Sequence, residues 1–285
     1  MILRLFFITI FIITLNACGH ASNTKGISFN EAQDIVLNGE NLNYGKALNY
    51  FKNNQDDSNS QYYLGVMYFN GFGNSVDYEK AFYWYNKSAS QGNVYSILNL
   101  GKMYDAGLYV KQDYSKAFNL YLKAAESGND EAQYNLAVMY DLGKGVEKNI
   151  DKALEFYQLA AKQNNSEALF NLGVYYTLDK INYEKAFDLF LQSSNLGNIK
   201  AKSNLATMYF LGLGNDKNYK EGQKLILDAA NGGDALAKLN IGLYYYEGKF
   251  GFEKDKDISR KWLEESCSMK EEKACTSLKE LFKNS

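Results

Sequence analysis

A five-residue core recurs along the chain at nearly constant spacing: Leu or Ile, then Gly or Ala, any residue, Met or Tyr, and Tyr. Successive cores are separated by 36, 36, 36, 33 and 36 residues. Their last residues are Tyr68, Tyr104, Tyr140, Tyr176, Tyr209 and Tyr245. A repeat of this length is typical of solenoids, in which each supersecondary unit packs only on its neighbours. The spacing therefore predicts stacked repeats rather than one compact core.

The third repeat, Asn129 to Asn164, shows how one unit is organised. Apolar residues recur at helical spacing in 131–143 and again in 150–163, and the segment between them is Gly-rich. We call the two helical segments the first and the second helix of a pair. The chain contains no proline, which favours uninterrupted helices. The sequence thus predicts a helix–loop–helix unit.

Polar residues and glycines recur at the predicted helix ends. Six residues precede the second helices and are expected N-caps, each contributing about 1 kcal/mol: Asp77, Asp113, Asn149, Asn182, Asn218 and Asp255. Glycines suited to left-handed caps follow four of these helices, at Gly92, Gly128, Gly197 and Gly233. The next first helices then open with Asn93, Asn129, Asn198 and Asp234. Small residues after the core Leu or Ile predict close helix contacts at Gly65, Gly101, Ala137, Gly173, Ala206 and Gly242.

These motifs resemble the Sel1-like repeat family, which is related to the tetratricopeptide repeats. The resemblance rests on A-x-x-x-N-L-G-x-M-Y in the first helix, G-x-G-V in the loop and K-A-x-x-x-Y-x-x-A-A in the second helix. The clearest instance is Ala132–Tyr140 with Lys152–Ala161. It extends from about Tyr44 to the C-terminus, with five complete units and partial ones at both ends. The segment 28–39 matches poorly and is expected to form an irregular N-terminal cap. The resemblance implies an all-α, right-handed superhelical solenoid over residues 28–285.

The N-terminal segment has a different character from the repeats. Leu5 to Leu15 is apolar but too short to span a membrane as a helix, so residues 1–17 are predicted to be a signal peptide. Leu15-Asn16-Ala17-Cys18 resembles a bacterial lipobox, which implies cleavage before Cys18, lipidation of its thiol, and a tether over residues 18–27. The alternative is an ordinary signal peptide with an incidental cysteine. Gly19, in place of the Asp that commonly retains lipoproteins at the inner membrane, implies an outer-membrane lipoprotein facing the periplasm or the cell surface.

The composition excludes several classes of chemistry. The net charge is −2 and the sequence has no basic patch that would suggest nucleic acid as a partner. The single histidine, His20, lies in the tether, so Ser-His pairs, Cys-His pairs and HExxH zinc sites are excluded from the repeats. We therefore expect no catalytic residues, no metal site and no cofactor.

Two cysteines near the C-terminus, Cys267 and Cys275, bracket the last turn between a second helix and the next first helix. Their spacing is similar to that of disulfide-bearing secreted Sel1-like proteins, and this resemblance, together with an oxidising periplasm, implies a disulfide bond. Such a bond would stabilise the fold by roughly 2–3 kcal/mol. The alternative is a pair of buried free thiols.

Two rows of residues are predicted on the side of the first helices that faces away from the second helices. At 100° per residue, this side includes the positions one before, two after, five before and six after the core Leu or Ile. The position before it is occupied by Tyr63, Asn99, Asn135, Asn171, Asn204 and Asn240. The position two after it is occupied by Val66, Lys102, Val138, Val174, Thr207 and Leu243. Amides beside apolar side chains could hold an extended segment. Alternatively, the Asn side chains satisfy neighbouring helix ends and the Val side chains pack between helices.

The sequence thus predicts a scaffold or adaptor for protein–protein interaction, without catalysis. It would be attached to the bacterial envelope through lipidated Cys18 and would bind protein partners on the concave face of the first helices. The alternative is an envelope enzyme or a cell-wall ligand binder that recognises peptidoglycan or a β-lactam.

Overall fold

A computed structural model describes residues 26–39, 43–178 and 182–283, and the predicted lipidation motif with Cys18 lies outside these ranges. All regular structure in the described residues is helical, which confirms the all-α prediction. The chain divides into two compact units, Met1–Ser127 and Gly128–Ser285. No helix among the described residues is both long enough and apolar enough to cross a membrane.

Unit 1 contains two helix pairs preceded by two further helices. Its helices are α1 (Phe29–Asn38), α2 (Tyr44–Asn53), α3 (Ser58–Asn70), α4 (Tyr78–Ser90), α5 (Val94–Ala106) and α6 (Tyr114–Glu126). The predicted first helices are α3 and α5, and each packs on the second helix that follows it, α4 or α6. The helix α2 has the sequence pattern of a second helix and packs on α1 and α3.

The helix α1 is regular, so the expected irregular cap over 28–39 is wrong. The Ser28 side chain accepts a hydrogen bond from the Glu31 backbone N–H, and the Glu31 carboxylate accepts one from the Ser28 backbone N–H. This reciprocal capping box begins the helix. Gly39, in the left-handed region with φ 76°, ends it. Buried Ala32 and Val36 join α1 to the core of unit 1.

Unit 2 contains four helix pairs and one final helix. Its helices are α7 (Asp130–Leu142), α8 (Ile150–Ala161), α9 (Ser166–Leu178), α10 (Tyr183–Asn195), α11 (Ile199–Leu211), α12 (Tyr219–Asn231), α13 (Ala235–Glu247), α14 (Lys256–Ser268) and α15 (Glu272–Leu281). The odd-numbered helices of the four pairs are the predicted first helices. Each packs on the second helix that follows it, and α15 packs on α14.

The predicted caps are confirmed. Each Asp or Asn expected before a second helix accepts a hydrogen bond from a backbone N–H in the first turn of that helix. The four residues expected to open first helices do the same. The predicted glycines after the second helices have φ between 84° and 94°. The equivalent residues of the third and sixth pairs, Asn164 and Lys270, are also left-handed, with φ 62° and 68°.

Aromatic rings of the second helices lie directly on the backbone of the first helices. A Cβ atom added to Gly65 or Gly101 would lie 2.5 or 2.7 Å from the ring of Tyr85 or Tyr121. These distances are shorter than real Cβ contacts, so a larger residue must displace the ring. In the fifth pair, buried Ala206 takes the place of glycine and Ile226 takes the place of the ring. The predicted close contact between helices is therefore a contact between a small residue and the opposing side chain, which is a ring in the first two pairs.

The long loop between α13 and α14 is fixed by two aromatic residues. Phe250 stacks on Phe210 of α11 with ring centroids 4.7 Å apart, and Phe252 is buried beside Tyr244 and Tyr245. Gly222 of α12 makes room for Phe210, because a Cβ there would lie 2.4 Å from that ring. The charged loop is thus attached to the core of the preceding pair.

The last helix is attached to its neighbour by a covalent bond as well as by packing. Cys267 of α14 and Cys275 of α15 form a disulfide bond with a Cα–Cα distance of 4.8 Å, as the family resemblance implies. Leu239, Leu263 and Ala274 form a small buried cluster beneath it.

The contact between Gly101 and Tyr121 gives a first prediction. Gly101→Val should lower the free energy of unfolding by about 1–3 kcal/mol, because the added side chain overlaps the Tyr121 ring. Gly45→Val is the matched control, since no atom lies within 4 Å of a Cβ placed at Gly45 in α2. Urea unfolding followed by circular dichroism measures both variants. Equal stability of the two variants would contradict the close-contact interpretation, and Tyr121→Ile should restore part of the loss in the Gly101→Val background.

Candidate functional site

The asparagine row contacts buried tyrosines of neighbouring helices. Asn99 of α5 hydrogen-bonds Tyr85 of α4, and Asn171 of α9 hydrogen-bonds Tyr134 of α7 and Tyr157 of α8. Burial raises the pKa of each of these three tyrosines above its ordinary value, and the Asn hydrogen bond opposes the rise. At these two positions the amide contacts a phenol in the preceding pair, which favours a structural role for it.

Asn204 differs from the other members of the row. It is exposed, and its side-chain amide donates to the Lys200 carbonyl oxygen within α11 over 3.0 Å. Asn135 and Asn240 are half-buried. The row therefore combines amides that contact buried tyrosines with accessible ones. The tyrosine contacts differ from the helix-end contacts that the sequence analysis gave as the alternative.

The first members of both predicted rows are buried, which corrects the predicted site at these positions. Tyr63 stacks on Phe51 of α2 at 5.1 Å and meets Phe29 of α1 edge-on at 5.8 Å. Burial raises its pKa to about 12, and a hydrogen bond from Gln33 opposes the rise. Val66 is buried in the same cluster. Since α1 and α2 cover them, Tyr63 and Val66 belong to the core of unit 1.

The remaining members of the second row are half-buried and belong to the side of the first helices that faces away from the second helices. They are Lys102, Val138, Val174, Thr207 and Leu243. Thr207 donates its hydroxyl to the Ser203 carbonyl within α11, and Leu243 packs against the C-terminal cluster. Val138 and Val174 of unit 2 retain partial exposure beside a third row.

The third row consists of leucines that end three successive first helices. Leu142, Leu178 and Leu211 are 57%, 71% and 46% exposed. Each lies four residues after Val138, Val174 or Thr207 and so occupies the same side of its helix. We call Leu142, Leu178 and Leu211 the leucine row. The sequence analysis predicted that this position faces away from the second helices but did not name its residues. The signal was present, because each of these three first helices ends in a leucine.

The first helices that carry the leucine row lie beside one another. Tyr134 of α7 and Asn171 of α9 are joined by a hydrogen bond. Asn198, which caps α11, donates its amide to Glu167 of α9 over 3.0 Å. Leucines projecting from adjacent helices form an apolar edge that can contact the side chains of another chain.

Candidate metal ligands and shifted tyrosine pKa values were sought among the described residues. Among them, no group of three or more His, Cys, Asp and Glu side chains could hold a metal ion. Burial raises the pKa of Tyr50, Tyr63 and Tyr244, which makes them weaker acids.

Comparison with known proteins matches the repeats to a family. The Sel1 repeat model matches six consecutive segments, 58–93, 94–129, 130–165, 166–198, 199–234 and 235–270. The sequence analysis predicted five complete units, and the match gives six. No curated protein sequence matches this chain significantly.

Solved structures show the same architecture. A Sel1 repeat protein from Oxalobacter formigenes superposes with a TM-score of 0.78 at 26% identity, over 85% of this chain and 100% of that one. The protective antigen c5321 of uropathogenic Escherichia coli, which displays an SLR fold, gives 0.70 at 25% identity over 90% of this chain. This chain spans 60% of the c5321 chain. The APC/C hetero-tetramer Cut9–Hcn1 gives 0.58 at 17% identity, covering 84% of this chain and 45% of that one. These similarities confirm the predicted solenoid.

The asparagine row gives a second prediction. Asn171→Ala should lower the free energy of unfolding by about 1–3 kcal/mol, because the Tyr134 and Tyr157 hydroxyls lose a partner. Asn204→Ala, in the same row, should change it by less than about 0.5 kcal/mol, because Asn204 is exposed. Thermal and urea unfolding measure both. An unchanged Asn171→Ala protein would show that the tyrosines find other partners and would return Asn171 to the set of candidate binding residues.

Proposed function

The chain belongs to the Sel1 repeat family, and from that premise we propose that it is a lipid-anchored adaptor that binds an apolar segment of a partner protein along the leucine row. Sel1 repeat proteins are scaffolds for protein–protein interaction. The proposal adds the surface, which lies on the first helices of unit 2, and the attachment, which is through Cys18.

The carrying observation is the exposure of three leucines at the same position of three successive repeats. Single exposed apolar residues are common and require no explanation. A row that recurs at one position of three successive first helices is a repeated feature, and covering one such side chain contributes about 1–2 kcal/mol. Val138 and Val174 extend the edge toward the middle of α7 and α9.

The row favours an elongated partner segment that crosses the first helices. Packed helices are about 8–10 Å apart, and an extended chain advances about 3.3 Å per residue. Apolar side chains at about every third residue would therefore meet successive leucines. Exposed Asn204 lies on the same side of α11 as Thr207 and could hydrogen-bond the backbone of such a segment.

Attachment to the envelope is supported by the sequence alone. Leu15-Asn16-Ala17-Cys18 resembles a lipobox, and Gly19 favours the outer membrane, with the repeats facing the periplasm or the cell surface. Neither the described residues nor the comparisons support the alternative of an enzyme or a cell-wall ligand binder.

The leucine row is tested with a photo-crosslinking amino acid at position 178 in cells, with position 196 as the matched control. Leu196 is 47% exposed but follows the second helix α10. A partner crosslinked only from position 178 is then purified. Replacing Leu142, Leu178 and Leu211 together with Asp should weaken its binding at least tenfold, about 1.4 kcal/mol, in calorimetry. Leu159→Asp with Leu196→Asp should leave binding unchanged. Equal effects of the two sets, with helix content preserved, would place recognition elsewhere.

The anchor gives a separate prediction. Cys18→Ala should remove the acyl mass from the N-terminal peptide and move the protein from the membrane fraction to the soluble fraction. Cys267→Ala should leave both unchanged, since Cys267 lies in α14. Mass spectrometry and fractionation of the envelope measure the outcome. A wild-type protein without an acyl group would refute lipidation. It would not affect the proposal that the leucine row binds a partner.

A further inference from the structure

The second helices of unit 1 carry an excess of positive charge that the net charge of the chain conceals. Together α2, α4 and α6 contain six lysines and only two carboxylates, Glu79 and Glu126. The lysines are exposed and comprise Lys46, Lys52, Lys80, Lys87, Lys116 and Lys123. The second helices of unit 2, α8, α10, α12 and α14, contain seven basic and nine acidic residues. The excess is thus confined to the second helices of unit 1.

Most of this charge is not neutralised locally. Lys80 and Lys116 pair with the N-cap residues Asp77 and Asp113. The other four lysines form no ion pair within the residues that the structure describes. On each helix, Lys46, Lys80 or Lys116 stands one residue before a buried alanine, and so the three occupy equivalent positions. Lys87 and Lys123 are likewise equivalent to each other. The charges therefore repeat on one side of the second helices, which we call the basic face.

Two aromatic side chains lie within the basic face. Tyr83 of α4 is 50% exposed and meets Trp84 edge-on with ring centroids 5.0 Å apart. The Lys87 ammonium lies 5.3 Å from the centroid of each ring. At 100° per residue, Tyr83 and Lys87 point away from Ala81 and Tyr85, which face the core. Tyrosine and tryptophan beside lysine are typical of the boundary between water and lipid.

We propose that the basic face docks on the surface of a membrane that contains anionic phospholipids. Lysines attract anionic headgroups, and the ring edges of Tyr83 and Trp84 can enter the headgroup layer. An acidic protein could also use the charge and the aromatic pair, but the anchor proposed at Cys18 would bring a membrane close to unit 1 and so favours the membrane. This proposal rests on the proposed lipid anchor in one respect only: the anchor would hold unit 1 near a membrane. Residues 18–25 can extend at most roughly 25–30 Å, which keeps unit 1 near the bilayer.

Binding is tested with the full chain carrying Cys18→Ser, so that no acyl group contributes. Flotation with vesicles of phosphatidylethanolamine and phosphatidylglycerol is compared with flotation with phosphatidylcholine vesicles. Replacing Lys46, Lys87 and Lys123 with Gln should weaken binding to the anionic vesicles by about a hundredfold. Replacing Lys220, Lys224 and Lys261 of unit 2 with Gln should leave it unchanged. All variants share the same N-terminal segment, so the difference between them reports the basic face.

The two tryptophans of the chain, Trp84 and Trp262, give an independent measurement. Brominated phosphatidylglycerol should quench Trp84 fluorescence in a Trp262→Phe protein and leave Trp262 unquenched in a Trp84→Phe protein. High salt should abolish the quenching of Trp84.

Equal flotation with both kinds of vesicle, equal effects of the two lysine sets, or an unquenched Trp84 would overturn the proposal. Capture of an acidic protein through Lys46, Lys87 and Lys123 without vesicle binding would do the same. Because the chain in these assays has no acyl group, failure of the lipid-anchor prediction leaves the result interpretable.

Discussion

The close approach of a second helix to the small residue after each core Leu or Ile orients the rest of its helix pair. Where Gly65 or Gly101 has no side chain, the ring of Tyr85 or Tyr121 reaches the backbone of the first helix. This contact fixes the rotation of the first helix about its axis. The position five residues after the glycine is then turned about 140° away from the ring. In unit 2 the equivalent rotation exposes the leucine row, so the packing that stabilises a pair also selects the residues it presents to solvent.

Polar groups between the helices show why equivalent positions do not have equivalent roles. Ser88, Ser193 and Ser266 occupy one buried position near the end of the second helix. Each donates its hydroxyl to the first carbonyl of its partner helix over 2.7 Å. Alanines occupy this position in the other pairs, at Ala124, Ala160 and Ala229. The fold tolerates either solution, because a buried hydroxyl must be paired whereas a methyl group need not be. The same rule, that buried polar groups must be paired, distinguishes Asn171, which contacts buried tyrosines, from exposed Asn204.

Features determined by neighbouring residues could be predicted from the sequence. The repeat length, the helix pairs and the caps at Asp77 or Asn149 depend on periodicity and on backbone groups within one turn. Burial of Tyr63 could not be predicted, because α1, whose segment matches the repeat poorly, covers it together with α2. The contact of Phe250 with Phe210 was equally inaccessible, since it joins a loop to a different pair. The basic face was overlooked because acidic residues elsewhere in unit 1 offset its lysines, so neither the unit nor the whole chain, with its net charge of −2, is positive.

The two proposed surfaces have complementary distributions along the chain. In the two pairs of unit 1, the position that forms the leucine row is occupied by Asn70 and Ala106, neither of which can extend an apolar edge. In unit 2, where that position is leucine in three pairs, the second helices have balanced charge. Residues on opposite sides of a helix pair share a core but not a surface, so each side can change without affecting the other. A repeat chain can therefore assign membrane contact to one unit and partner contact to the other while every pair keeps the same contact between a small residue and the opposing side chain.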